Sequence, residues 1–203
     1  MHIKKNIFFD LDGVLVDACD WHYESLNNAL AKNNCPKIQY EDHILKFNGL
    51  PTKTKLTLLD IKKEKFETII SSKNEIFNKI VDDKCKADNI KIELMKYLKS
   101  KKSRIACITN SIKNTAYTVL KKLEILSFFD LILSNEDVKL NKPDPCPYNT
   151  AIELLNSHNC INIAVEDSPK GIESASKSNI NIVWKVKNSL EVNLINYKLN
   201  FGE

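Results

Sequence analysis

The stretch Phe9-Asp10-Leu11-Asp12-Gly13-Val14 decides the fold, because it places two aspartates and a glycine directly after the short apolar run Asn6–Phe9. A run of this kind is typical of a buried strand. Asp10 and Asp12 have the period-two spacing that turns both side chains the same way at a strand end, and Gly13 permits a sharp turn there. The pattern indicates a strand that ends in a chemical site, although a simple polar exit from a strand explains it about equally well.

Four further apolar runs have the same character and alternate with segments of helical spacing. They are Arg104–Ile108, Leu131–Leu133, Ile161–Val165 and Ile182–Val186. Alternation of buried strands with helices predicts an α/β fold, with a Rossmann-like, mostly parallel sheet flanked by helices.

A long interval between the first and second strands interrupts this alternation and has a helical pattern throughout. Its clearest feature is an amphipathic stripe of large apolar residues over positions 66–81. The interval is too long for a loop between a strand and a helix. We therefore predict that residues 18–86 form an inserted helical domain, and that residues 1–17 and 87–203 form the α/β core.

Polar motifs follow three of the predicted core strands. Thr109-Asn110-Ser111 offers a hydroxyl, an amide and the N–H groups of a helix start, which suit a phosphate, and the lysine of Lys142-Pro143-Asp144-Pro145 could neutralise phosphate charge. The adjacent carboxylates of Glu166 and Asp167 suit a hard cation such as Mg²⁺. Taken singly, these motifs are also explained as a helix cap, a surface turn and dipole-stabilising acids.

The common placement of these motifs is more informative than any one of them. Ligands bind at the carboxyl ends of the strands in open α/β sheets, and all four polar segments follow a predicted strand. We therefore expect them to meet in one crevice.

Composition excludes several other classes of function. The formal net charge is +4, the lysines are scattered among acidic residues, and Arg104 is the only arginine, so we expect no nucleic-acid partner. The six cysteines contain no C-x-x-C pair, which argues against a zinc site or a disulfide framework. We find no secretory signal and no apolar run near the ~18 residues of a membrane span. These features predict a reduced, cytoplasmic setting without a membrane partner. For the oligomeric state we expect a monomer or weak dimer.

In their order and spacing, the four motifs resemble those of the haloacid dehalogenase superfamily of phosphohydrolases, and the resemblance covers essentially the whole chain. It implies that Asp10 is the nucleophile that forms an aspartyl-phosphate, and that Asp12 is the general acid and then the general base. It further implies two sets of binding residues. The transferred phosphoryl group would be bound by Thr109, Asn110 and Lys142, and Mg²⁺ by Asp10, Asp12 (through its backbone carbonyl), Glu166 and Asp167.

The resemblance also identifies the inserted helices as a small helical cap that selects the substrate, similar to the cap of β-phosphoglucomutase and related sugar-phosphate phosphatases. His22 and Lys73 match substrate-facing positions of that subgroup, although a half-buried histidine and a solvated helix lysine are alternative interpretations. Thr52 stands where the mutase carries an arginine for a second phosphate. Lys53 is adjacent but cannot provide the same bidentate grip.

The resemblance therefore favours a Mg²⁺-dependent phosphatase whose partner is a small phosphorylated metabolite, above all a sugar phosphate. A phosphomutase of the β-phosphoglucomutase type is the first alternative. A non-catalytic binding protein on the same fold is a remote one. Dehalogenase activity belongs to a branch that needs no metal, and Glu166-Asp167 looks suited to holding one.

Overall fold

The computed structural model describes residues 4–202, so the outermost positions of the predicted core, 1–3 and 203, lie outside the described range. The chain divides into two compact units. One comprises Ala18–Cys85, and the other comprises the segments on either side, Met1–Asp17 and Lys86–Glu203.

The flanking segments contain a five-stranded sheet in the order β3-β2-β1-β4-β5, in which every pairing is parallel. The strands are β1 (Lys5–Phe9), β2 (Ile105–Ile108), β3 (Leu131–Leu133), β4 (Ile161–Glu166) and β5 (Ile182–Lys185). The predicted α/β class is confirmed, and the predicted strands end within one residue of the observed ones. Val186, the last residue of the predicted run, lies just outside β5. Its N–H still donates to the Glu166 carbonyl at 2.9 Å, so the pairing with β4 continues to this residue.

Helices occupy most of the remaining described residues. They are α1 (Cys19–Lys32), α2 (Tyr40–Asp42, which continues as a π-helical turn, His43–Phe47), α3 (Thr52–Leu58), α4 (Phe66–Lys84), α5 (Asn89–Ser100), α6 (Lys113–Lys122), α7 (Cys146–Leu154), α8 (Pro169–Ser176) and α9 (Leu194–Phe201). Short 3₁₀ turns cover Lys63–Lys65, Leu126–Phe128 and Ser189–Glu191.

The central strand β1 is buried beyond its first residue, and Ile7, Phe8 and Phe9 have no exposed surface. A strand that is covered on both faces requires a continuous apolar run rather than an alternating one, which is the pattern seen in the sequence. Phe8 belongs to a core cluster with Tyr148 of α7 and Ala164 of β4. Burial of a side chain of this size contributes about 2 kcal/mol to folding.

The position of β1 determines which strand ends become neighbours. It lies between β2 and β4, so the residues that leave these three strands at their carboxyl ends are adjacent. Asp10 therefore emerges between the residues that follow β2 and the last residues of β4.

Within Ala18–Cys85, α1 packs against α4. Leu26 and Leu30 of α1 join Ile69 of α4 in one buried cluster. The side chain of Asn27 fixes the following loop, because it accepts from the Ile38 N–H at 2.7 Å and donates to the Ile38 carbonyl at 3.0 Å. In the part of the chain that the structure describes, the helices all fall short of the length or apolar character needed to cross a bilayer.

Candidate active site

Backbone hydrogen bonds carry the ends of β1 and β2 one residue beyond the strands. The Asp10 N–H donates to the Val165 carbonyl at 3.0 Å, and the Thr109 N–H donates to the Leu133 carbonyl at 2.9 Å. Asp10 and Thr109 are therefore held by the sheet itself at its carboxyl edge, where their side chains leave the ladder. The rigid sheet fixes the position of both residues.

Lys142 links the ends of three strands. Its Nζ lies 2.6 Å from Asp10 Oδ1, 2.5 Å from Glu166 Oε1 and 2.6 Å from the Ile108 carbonyl oxygen, which engages all three ammonium donors. Burial by itself would lower the pKa of Lys142, but the attraction of Asp10 and Glu166 outweighs it and raises the pKa above its usual value. The lysine is therefore charged throughout the physiological range.

If Asp10, Glu166 and Asp167 were all ionised, they would carry more negative charge than Lys142 alone compensates. Burial raises the pKa of Asp10, and Lys142 only partly opposes this effect. Burial likewise raises the pKa of Glu166 to about 8 and that of Asp167 to about 7. A divalent cation would supply the missing positive charge and favour the ionised carboxylates.

The arrangement of three carboxylates fits Mg²⁺. Asp10, Glu166 and Asp167 each present an oxygen, and these oxygens lie within 4.8 Å of one another. Glu166 Oε2 and Asp167 Oδ1 are buried and accept no hydrogen bond from the residues that the structure describes. An all-oxygen, anionic set with unused lone pairs is the kind of site that a hard cation prefers. The backbone carbonyl of Asp12 stays a predicted ligand.

Gly13 allows the loop after β1 to approach this carboxylate set. Its φ is +90°, in the region that favours glycine, and a Cβ at this position would overlap the Asp167 carboxylate. The Gly13 N–H donates to the Val16 carbonyl at 2.7 Å and closes the turn. The glycine therefore permits both the sharp turn predicted from the sequence and the close approach of the loop to the Asp167 carboxylate.

Ser111 connects the second motif to Asp12, and its role was missed from the sequence. The Ser111 hydroxyl donates to Asp12 Oδ2 at 2.8 Å, and the Ser111 N–H donates to Thr109 Oγ1 at 3.0 Å. The only signal in the sequence was the membership of Ser111 in the Thr109-Asn110-Ser111 motif. The structure thus places a neutral donor on the carboxylate that was predicted to transfer protons.

The side chain of Asn110 contacts the backbone of Lys142 at both ends of its amide. Asn110 Nδ2 donates to the Lys142 carbonyl at 3.0 Å, and Asn110 Oδ1 accepts from the Lys142 N–H at 3.1 Å. This double contact holds the loop that carries the lysine. Phosphate binding by Thr109 and Asn110 stays a prediction.

Tyr148 is a second residue that was missed from the sequence. Its hydroxyl donates to Glu166 Oε1 at 2.5 Å, and its ring centroid lies 5.2 Å from Lys142 Nζ. Only its position near the Lys142-Pro143-Asp144-Pro145 motif suggested a link to the site. In an apolar helix, an aromatic residue is normally assigned to the core.

The predicted cap residues form two groups within Ala18–Cys85. Lys73 is 6% exposed, its Nζ lies 3.2 Å from His22 Nδ1, and it sits 4.6 Å from the centroid of the Phe77 ring, on which His22 stacks. The interpretation of Lys73 as a solvated lysine is therefore wrong. Thr52 and Lys53 begin α3, where Lys53 is exposed.

Comparison with known proteins agrees with the fold and with the family that the sequence resembles. The family model of haloacid dehalogenase-like hydrolases matches residues 7–185. A phosphorylated carbohydrates phosphatase of Thermotoga maritima is 27% identical over 91% of this chain and 86% of its own length. A putative pyrophosphatase, PpaX, of Caldanaerobacter subterraneus is 30% identical over 89% of this chain and 82% of its own length. The crystal structure of β-phosphoglucomutase from Clostridium difficile superposes with a TM-score of 0.82, covering 98% of both chains at 21% identity.

Proposed function

Because the chain belongs to the haloacid dehalogenase-like hydrolases, we propose that it is a Mg²⁺-dependent phosphatase. Its substrate is a small phosphorylated metabolite, with sugar phosphates as the preferred class, and an aspartyl-phosphate forms on Asp10. The observation that carries the proposal is the cluster in which Lys142 lies between Asp10 and Glu166, beside the unsatisfied carboxylate oxygens.

The proposed chemistry gives each of these side chains one role. A carboxylate oxygen of Asp10 attacks phosphorus, and the bond from phosphorus to the leaving oxygen breaks, so that one difficult hydrolysis becomes two easier steps. Asp12 gives a proton to the leaving oxygen and then takes one from the water that cleaves the aspartyl-phosphate. Lys142 holds Asp10 in place and neutralises phosphoryl charge. Asp10, Glu166 and Asp167 would hold Mg²⁺, which would supply further neutralisation of the phosphoryl charge.

Removal of the Ser111 hydroxyl tests the proton-transfer role of Asp12. We expect Ser111→Ala to lower kcat about tenfold with little change in KM, because the hydrogen bond to Asp12 Oδ2 fixes the orientation of that carboxylate rather than binding substrate. Steady-state phosphate release against substrate concentration measures both constants.

Ser111→Thr is the matched control, because it keeps the hydroxyl and should recover most of the lost kcat. A Ser111→Ala variant with wild-type kcat would show that the contact with Asp12 does not serve catalysis. An increase in KM alone would assign Ser111 to substrate binding instead.

The proposed function is tested by assaying phosphate release from a panel of phosphorylated metabolites, once with Mg²⁺ and once with EDTA. The panel includes sugar phosphates and pyrophosphate. Pyrophosphate belongs in the panel because one relative carries that activity in its name. We expect turnover of at least one sugar phosphate and its loss in EDTA. No turnover of any compound by well-folded protein would contradict the proposal.

The phosphomutase alternative is less well supported. Two relatives matched by sequence are named as a phosphatase and a putative pyrophosphatase, whereas the β-phosphoglucomutase structure is 21% identical and shows the fold alone. Thr52 and the exposed Lys53 offer no arginine at the position of the mutase anchor. The ratio of phosphate release to conversion of β-glucose 1-phosphate decides between the two activities.

The cellular setting is part of the same proposal. The six cysteines are free thiols, which supports a reducing, cytoplasmic compartment. A monomer or weak dimer stays our prediction for the oligomeric state.

A further inference from the structure

Tyr148 occupies a position in α7 that core packing alone does not explain. The residue has no exposed surface, and its ring belongs to the cluster around Phe8 and Ala164. A phenylalanine would fill the same volume without burying a hydroxyl, which costs free energy unless it is hydrogen-bonded. The hydroxyl is used, because it donates to Glu166 Oε1 at 2.5 Å.

The two carboxylate oxygens of Glu166 differ in their hydrogen bonds. Oε1 accepts from the Tyr148 hydroxyl and from Lys142 Nζ, both at 2.5 Å. Oε2 is buried and accepts no hydrogen bond from any described residue. The first oxygen is thus saturated by protein donors, and the second retains its lone pairs for another ligand.

Lys142 alone would hold Glu166 less firmly. An ammonium group is a compact charge on a flexible stem and imposes little direction, and the terminal torsion of a glutamate is broad. The phenol is rigid, and its ring is fixed by packing. Gly171 also restricts the carboxylate, because its backbone lies so close that a Cβ there would overlap both carboxylate oxygens. Tyr148 is therefore the directional donor that keeps the two oxygens from exchanging places.

We propose that Tyr148 is a positioning residue for the cation site, which fixes the Glu166 carboxylate so that Oε2 faces a divalent cation while Oε1 stays on Lys142. The same contact keeps Lys142 aligned with Asp10, because Lys142 Nζ bridges Glu166 Oε1 and Asp10 Oδ1. The inference rests on the proposed function only in taking Glu166 as a metal ligand.

The test is Tyr148→Phe, which keeps the ring and removes only the hydroxyl. Hydrogen-bond partners of metal ligands typically contribute 10–100-fold to metal affinity or activity. We expect the Kd for Mg²⁺, measured by calorimetric titration of the metal-free protein without substrate, to rise about tenfold. Tyr197→Phe is the control, because Tyr197 is also buried but lies on α9, against Trp184. It should leave the Kd unchanged.

Thermal unfolding of the metal-free proteins separates positioning from packing. A Tyr148→Phe protein with an unchanged Kd overturns the proposal, whether or not its Tm falls. A weakened Kd in Tyr148→Phe, with the Tyr197→Phe value unchanged, supports it. Failure of the proposed function is recognised independently, as the absence of Mg²⁺-dependent turnover in the wild type, because the Kd comparison needs no substrate.

Discussion

Asp10→Asn is expected to reduce phosphate release by at least ~10³-fold, because an amide cannot form the aspartyl-phosphate and the reaction loses its nucleophile. The same substitution should leave the metal-free protein at least as stable as the wild type. Burial raises the pKa of Asp10, so its charge is unfavourable in the fold, and an asparagine Oδ1 can still accept from Lys142. Activity and stability then move in opposite directions, as expected for a residue that serves function.

Phosphate release and thermal unfolding, measured on the same protein preparations, check this prediction. Asp83→Asn is a suitable control, since Asp83 is an exposed aspartate outside the cluster, and it should behave as the wild type in both assays. An Asp10→Asn protein that is folded and retains substantial turnover would contradict the assignment of the nucleophile. An inactive but strongly destabilised protein would contradict the electrostatic part of the argument.

The second large effect concerns Lys142, whose loss should destabilise the metal-free protein by about 3 kcal/mol. Breaking a buried ion pair by removing one partner leaves an uncompensated charge and typically costs 3–5 kcal/mol. We expect the lower end of that range, because burial already raises the pKa of Glu166 to about 8 and protonation relieves part of the cost. Activity should fall as well, since Lys142 holds Asp10 and would neutralise phosphoryl charge.

Equilibrium unfolding in denaturant measures the free energies of Lys142→Ala and of the wild type, both free of metal. Lys139→Ala provides the control, because Lys139 is exposed and lies in the same connecting segment, and its free energy of unfolding should change by less than about 0.5 kcal/mol. A Lys142→Ala protein as stable as the wild type would show that the buried contacts with Asp10 and Glu166 contribute nothing to the fold.

Much of the core could be predicted from the sequence because its signals are local. The five strands are short apolar runs, of which β1, β2 and β4 are almost wholly buried, and such runs are visible without knowledge of their partners. Asp10, Glu166 and Asp167 could be grouped because each follows such a run and parallel strands end at one edge. The parallel order of the sheet then brings them together, as the observed carboxylate cluster shows.

The roles of the residues that were missed depend on contacts between positions far apart in the sequence. Tyr148 reaches Glu166, and Ser111 reaches Asp12, only after the helices have packed on the sheet. The same limitation applies to Lys73, which has the spacing of a surface lysine but is buried against Phe77 and His22. A lysine with an aromatic partner one turn away can be buried or solvated, and the sequence alone does not distinguish the two.

The central claim, that phosphate passes through a covalent bond to Asp10, is tested most directly by trapping that bond. Sodium borohydride reduces an acyl phosphate to an alcohol, so it would convert a phosphorylated Asp10 to homoserine. The protein is mixed with Mg²⁺ and a substrate found in the panel, treated with borohydride and examined by peptide mass spectrometry. We predict homoserine at position 10, present only when substrate and Mg²⁺ are both added. Homoserine at another aspartate, or none at all during rapid turnover, would contradict the account.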